Sequence, residues 1–135
     1  MKYLVDANVL SEPAKPRANP AATSWLTQNI AALAVTPIVL GELQYGILKL
    51  PSGRKRTELL EWFAESVELL AVLPIDAATA GEWSKLLAEL RRRGRTMPVT
   101  DSLIAASARQ YGLIVATRNI ADYKFAGVRL VNPFN

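Results

Sequence analysis

The apolar positions of this chain follow two alternating periods. Short apolar runs recur at residues 2–5, 32–36, within 68–75, at 113–117 and at 128–132. Their length and their bounding polar or turn residues fit buried strands. Between them lie longer stretches with apolar residues three and four apart, the helical spacing. Residues 21–29, 38–50, 52–67, 77–94 and 98–112 therefore predict helices. Pro20 and Pro37 suit first turns, while Gly94 and Gly112 suit helix stops. The stretch 52–67 carries Leu59, Leu60, Phe63 and Val67 on one stripe, and 77–94 turns Trp83, Leu86, Leu87 and Leu90 inward. Residues 11–20, "SEPAKPRANP", form a proline-broken loop. Strands alternating with helices predict an α/β fold, a mostly parallel sheet covered on both faces, in one domain spanning 1–135. Ligands of such sheets sit beyond the carboxyl ends of the strands.

Composition narrows the chemistry. The 135 residues include neither cysteine nor histidine. Disulfides, Ser-His and Cys-His nucleophile pairs and the usual zinc ligands are thereby excluded. Any catalysis must rest on carboxylates, hydroxyls, Lys/Arg or a hard metal ion. Half the residues are hydrophobic, enough for a sizeable core. No run reaches about 18 apolar residues, so no membrane span is expected. Asp6 breaks the N-terminal apolar run too early for a signal peptide, and a cytoplasmic location is the default expectation. The net charge of +4 favours an acidic partner such as nucleic acid.

Four acids stand in unusual places. Asp6 follows the first strand, Glu42 lies on a mostly apolar helix, Asp101 opens the helix 98–112, and Asp122 follows a strand end. The remaining helix acids, including Glu58, Glu61, Glu65, Glu82 and Glu89, read as solvent-facing. Each of the four has a bland reading: a turn acceptor for Asp6, a helix-dipole partner for Asp101, a salt-bridge partner for Glu42, a surface acid for Asp122. Gathered at the carboxyl edge of one sheet they would repel one another unless a cation neutralised them. With oxygen-only ligands that cation is Mg²⁺ or Mn²⁺, suited to phosphoryl chemistry.

The segments "VDANVLSE", "VLGELQYGI", "MPVTDSLIAASARQYGLIVATRNIADY" and "VRLVNPFN" stand in this order along nearly the whole chain. Together they resemble the PIN-domain ribonucleases, most closely the VapC-type toxins of bacterial toxin–antitoxin pairs and their FitB-like branch. The resemblance implies a three-layer α/β/α sandwich. It implies a Mg²⁺-dependent endoribonuclease that hydrolyses RNA phosphodiesters with a metal-activated water, leaving a 5′-phosphate and a 3′-hydroxyl. A homodimer inhibited by a small cognate antitoxin is implied as well. Asp6, Glu42 and Asp101 match the family's first three acids. At the fourth position, where many members carry an aspartate, this chain has Asn119, and Asp122 is the nearest carboxylate. Ala7 replaces the Thr or Ser common before Asn8.

On this reading Asp6 and Asp101 bind the ion directly, and Glu42 and Asp122 act directly or through water. Asn8, Thr117 and Asn119 hold the acids by hydrogen bonds. Arg92, Arg93 and Arg95 in "RRRGR", together with Arg118, are candidates for RNA-phosphate contact, as is the weaker "GRKR" cluster at 53–56. A run of arginines is also compatible with a solvated helix end. Trp25, Trp62 and Trp83 fall at helical spacing, as core or partner-interface residues do. The competing reading is a non-catalytic nucleic-acid or partner-binding module that represses its own operon with an antitoxin. A haloacid-dehalogenase-type phosphatase would need a second aspartate where Asn8 stands.

Overall fold

In the computed structural model, which describes residues 1–134, the apolar runs form β1 (Tyr3–Val5), β2 (Leu33–Val35), β3 (Ala71–Val72), β4 (Ile114–Ala116) and β5 (Leu130–Val131). The sheet order is β3-β2-β1-β4-β5, and every neighbouring pair is parallel. The helices are α1 (Ala7–Leu10), α2 (Pro20–Asn29), α3 (Pro37–Leu48), α4 (Arg54–Val67), α5 (Ala77–Arg92) and α6 (Val99–Tyr111). The result is the expected α/β/α sandwich. Asn135, the last residue of the "VRLVNPFN" segment, lies outside the described residues.

Parallel strands need crossover connections, and the helices supply them while covering the sheet. Leu4, Ala34 and Val115 point into one core with Leu86, Leu90, Ile104 and Ala105 from α5 and α6. Val5 and Leu33 point into a second core with Val9, Ala22, Leu26 and Phe134. On this second side Trp25 meets Tyr3 edge to face, with ring centroids 4.9 Å apart. No described helix is long and apolar enough to cross a membrane.

The helix ends follow local rules. Thr36 and Asn19 cap α3 and α2 with side-chain oxygens, each followed by proline at the first helical position. Asp76 and Thr79 form a reciprocal capping box on α5. At its other end Gly94 takes the left-handed conformation (φ 62°), the Gly94 N–H donates to the Arg91 carbonyl at 3.1 Å, and the Arg95 N–H to the Leu90 carbonyl at 2.9 Å. This is the Schellman closure, and it folds the chain sharply back at Arg95.

Several expectations need correction. The four-residue α1 follows β1 directly. It is too short to leave a period in the sequence, and it forms because Asp6 accepts the Ala7 N–H. The strand within 68–75 shrinks to two exposed edge residues. Leu87 is 39% exposed rather than inward-facing, since the sheet-side stripe of α5 is carried by Leu86 and Leu90. The stripe of α4 is only half-buried, and this helix contributes no fully buried residue. Glu82 and Glu89 are not idle surface acids. Arg109 of α6 donates to Glu82 at 2.9 Å and bidentately to Glu89 at 2.7 and 3.2 Å, tying α5 to α6.

Leu86 is fully buried at the α5–α6 junction. Leu86→Ala should lower unfolding free energy by about 2–5 kcal/mol, read from the midpoint of urea denaturation at unchanged m-value.

Candidate active site

Val5 of β1 lies beside Ala116 of β4, so Asp6 and Thr117 leave the sheet abreast at its carboxyl edge. The strand order reverses between these two strands, the place where open parallel sheets hold ligands. Asp6 is 5% exposed. Its Oδ1 accepts the Ala7 N–H at 2.8 Å, so the bland capping role is real. Its Oδ2 accepts from the Thr117 hydroxyl at 2.9 Å, the Tyr123 hydroxyl at 3.0 Å and the Asn8 amide at 3.4 Å.

A relay of donors fixes these groups. The Asn8 amide also donates to Thr117 Oγ1 at 3.3 Å, and Asn8 Oδ1 accepts the Arg118 N–H at 3.0 Å. Asn119 takes part through its main chain: its N–H donates to Thr117 Oγ1 at 3.0 Å. The expected holding role of Asn119 thus runs through the backbone and one intervening hydroxyl.

Asp101 stands in the first turn of α6. That helix runs antiparallel to the strands it joins, so its N-terminus returns to the carboxyl edge. Asp101 Oδ1 accepts from the Tyr123 hydroxyl at 3.4 Å. Tyr123 therefore stands between the first and third acids and offers one proton to two carboxylates. It is 1% exposed. Burial, then the charges of Asp6 and Asp101, push its ionisation far above the usual tyrosine range, so it stays a donor. Sequence reasoning missed this residue. Its hydroxyl is indistinguishable in a pattern from any aromatic beside a surface acid, and only its burial next to two carboxylates marks it.

Glu42 and Asp122 flank this pair from the β2 and β4 sides. Contrary to the expectation of an acid within an apolar run, Glu42 is solvent-exposed on α3. Partial burial of its carboxyl group, then the charges of Asp6 and Asp101, still raise its pKa. Asp122 is exposed in the 3₁₀ turn Ile120–Tyr123. Burial, then Asp6 and then Asp122, raise Asp101 from 3.8 to about 6, against the Tyr123 hydrogen bond. The four predicted acids thus share one electrostatic neighbourhood. Among the described residues no three of them converge to ligating distance with the side chains as they stand.

The surroundings are open. A groove of about 400 Å³ runs past Asn8 and Glu42 and is lined by Leu43, Ile47, Leu59 and Trp62. Lys55 of the 53–56 cluster also faces it. Beside Asp122 a cavity of about 270 Å³ is lined by Arg95 and Phe125. The Arg93 and Arg95 guanidiniums lie 5.0 and 4.2 Å from the Phe125 ring centre, and Arg118 lies 4.8 Å from that of Phe134. Arg92 is exposed and reaches neither ring. Of the tryptophans, Trp62 lines the groove and Trp83 donates to Ser102 Oγ at 2.9 Å.

The PIN domain model matches residues 3–128. The chain belongs to the PIN-domain family. Among its relatives are Toxin FitB of Neisseria gonorrhoeae, 32% identical with 98% of each chain covered, and VapC ribonuclease Y4jK of Sinorhizobium fredii, 33% identical over 97% of this chain and 96% of the other. The crystal structure of FitAcB from Neisseria gonorrhoeae superposes with a TM-score of 0.92 at 30% identity, covering 97% of both chains. This PIN-domain chain therefore keeps the family's fold over 97% of its length.

The donor set tests which ion fits. It is all oxygen, and at neutral pH it crowds like charges, with the Glu42 and Asp101 carboxyls pushed up by burial and then by their acidic neighbours. A hard divalent cation relieves both conditions. Because the native state binds the Asp101 proton more tightly than the unfolded chain, this group favours folding at acid pH, and that contribution is lost as pH rises through about 6. Mn²⁺ should raise the melting temperature clearly at about pH 7.5 and little at about pH 5, by scanning calorimetry. Equal shifts at both values would argue against this coupling. Tyr123→Phe keeps the buried ring and deletes only the hydroxyl. It should weaken Mn²⁺ binding by about tenfold, within the range for groups that orient metal ligands, with the circular dichroism spectrum unchanged.

Proposed function

We propose that this PIN-domain protein is a Mg²⁺- or Mn²⁺-dependent endoribonuclease and the toxin of a toxin–antitoxin pair. The observation that carries the reading is the placement of Asp6 and Asp101 on either side of one buried tyrosine hydroxyl at the sheet's switch point, flanked by Glu42 and Asp122. The names of two relatives, a toxin and a ribonuclease, support both halves of the proposal.

Asp6 and Asp101 would hold the ion. When bound, a divalent cation lowers the pKa of water and offsets charge on the leaving oxygen of a phosphodiester. This chain's own residues then have distinct tasks. Thr117, Tyr123 and Asn8 fix the Asp6 carboxylate through Oδ2, so its orientation is set before substrate arrives. Glu42 and Asp122 flank the pair, where their carboxylates can orient the attacking water and take up its proton. Arg95 and Arg118 stand near the site on different sides, each braced against an aromatic ring, as cations for the neighbouring phosphates. The expected role of Arg93 is the same through Phe125, whereas exposed Arg92 adds long-range attraction.

The open groove suits the antitoxin. Leu43, Ile47, Leu50, Leu59 and Trp62 line it, and the half-buried stripe of α4 is otherwise without a full cover. An apolar segment of the partner laid here would reach Glu42 at the edge of the site, which couples inhibition to binding. One relative is named a toxin, Toxin FitB of Neisseria gonorrhoeae, which supports this partner class. A homodimer completes the proposal on the strength of the family resemblance.

Purified protein freed of any partner should cut end-labelled total RNA into discrete fragments with Mg²⁺, and not with EDTA. Asp101→Asn, prepared in parallel, should reduce cleavage to the level of the EDTA control. Full activity in Asp101→Asn would remove this residue from the metal site. No cleavage of any RNA by the wild type would move the protein to the binding-module reading.

A further inference from the structure

The loop 11–20 is predicted from its prolines as a connector, yet it is built around a buried acid. Glu12 is 4% exposed. Its Oε2 accepts the Asn19 N–H at 2.8 Å, and Lys15 Nζ lies 3.1 Å from Oε1. The Asn19 N–H, with Lys15 adding to it, holds the Glu12 carboxyl below the usual range, so it is an anion at neutral pH. A buried anion in a surface loop needs such partners. Here it ties the two ends of the loop together, the end entering α2 and the turn bearing Lys15. The intervening Arg17 is left exposed and makes no ion pair among the described residues.

The loop faces the candidate active site. A cavity of about 460 Å³ is lined by Glu12, Lys15, Arg17, Asn19, Arg118 and Phe134, with Ala18 and Pro20 completing it. Arg118 follows Thr117, the donor to Asp6, and its N–H is held by Asn8. Its guanidinium is steadied over Phe134. Lys15 also lines the groove that contains Asn8 and Glu42. The cavity and the carboxylate site are thus neighbours, sharing Lys15 and the Asn8–Thr117 relay. Three cations against one buried, already paired carboxylate leave a net positive cavity beside a net negative centre.

We infer that Lys15, Arg17 and Arg118 form a binding site for backbone phosphate of the RNA strand, seating the nucleotides on the β1–α2 side of the scissile bond. A polyanion approaching a cluster of four carboxylates needs compensating cations close by. The Phe125 arginines supply them beside Asp122, and this loop supplies them on the side of Asn8. The rigid base set by Glu12 lowers the ordering cost of the contact. This inference rests on the ribonuclease reading, and one binding experiment separates the two.

All proteins carry Asp101→Asn, and binding is measured in EDTA by fluorescence anisotropy with a short labelled single-stranded RNA of mixed sequence, over a series of salt concentrations. In that background Lys15→Gln/Arg17→Gln should weaken binding at low salt. It should also shallow the plot of log affinity against log salt by about 1.4, at about 0.7 per lost single-strand contact. Arg17→Gln alone, which leaves the Glu12 pair intact, should shallow it by about 0.7. Lys2→Gln/Lys85→Gln removes the same charge from exposed residues that line none of these cavities, and should leave the slope unchanged. Binding by the parent with an unaltered slope in both loop variants overturns the phosphate site and leaves the ribonuclease reading standing. An equal change in the Lys2/Lys85 control overturns it too, as a net-charge effect. A parent that binds no RNA sinks the ribonuclease reading itself.

Discussion

The structure turns on a repulsion that the fold itself creates. Following β1 with an aspartate and placing another in the first turn of α6 brings two carboxylates to one edge of the sheet, where burial raises the cost of charge. The Tyr123 hydroxyl lies between them, within 3.0 Å of Asp6 and 3.4 Å of Asp101. Its hydrogen bond lowers the Asp101 pKa but does not offset burial and then the Asp6 charge, which still push that carboxyl up to about 6. The arrangement concentrates negative charge at the carboxyl edge of the sheet. Such charge is the attribute of a cation site, and it explains why the surrounding hydrogen bonds are so fully committed to Asp6.

The rest of the fold places these charges and little else. The order β3-β2-β1-β4-β5 sets β1 and β4 side by side, so the relay from Asn8 and Thr117 can close across residues 109 positions apart. The crossover through α6 returns Asp101 to the same edge, and the crossover that follows β2 brings α3 and Glu42. The α5–α6 contact, locked by Arg109 against Glu82 and Glu89, fixes the height of α6 and with it the height of Asp101. Ion pairs that read as surface decoration in the sequence are thus part of the geometry of the site.

Cations are arranged by equally local means. The Schellman turn at Gly94 folds Arg95 back onto Phe125, and the residue after Thr117 is the arginine that meets Phe134. Aromatic rings hold these guanidiniums beside the acids without neutralising them, as carboxylate partners would. The groove along α3 and α4 follows the opposite logic. There an amphipathic helix keeps its apolar stripe only half covered, an arrangement that suits a partner more than a core.

The sequence by itself determined the class of fold and the candidate chemistry. Strand and helix periods differ, so the alternation was legible; the absence of histidine and cysteine left only oxygen ligands; and Asp6 and Glu42 were marked by breaking apolar runs, Asp101 by opening a helix. It did not determine α1, which is shorter than any period, nor the exposure of Leu87 and Glu42, because a helical stripe does not say how far its neighbours reach. Tertiary structure alone decided that Tyr123 bridges Asp6 and Asp101, that Asn119 acts through its main chain, and that Glu12 lies buried and paired with Lys15. Each of these depends on contacts between segments distant in the chain or on burial, and a pattern along one chain encodes the faces of its elements without encoding which faces meet.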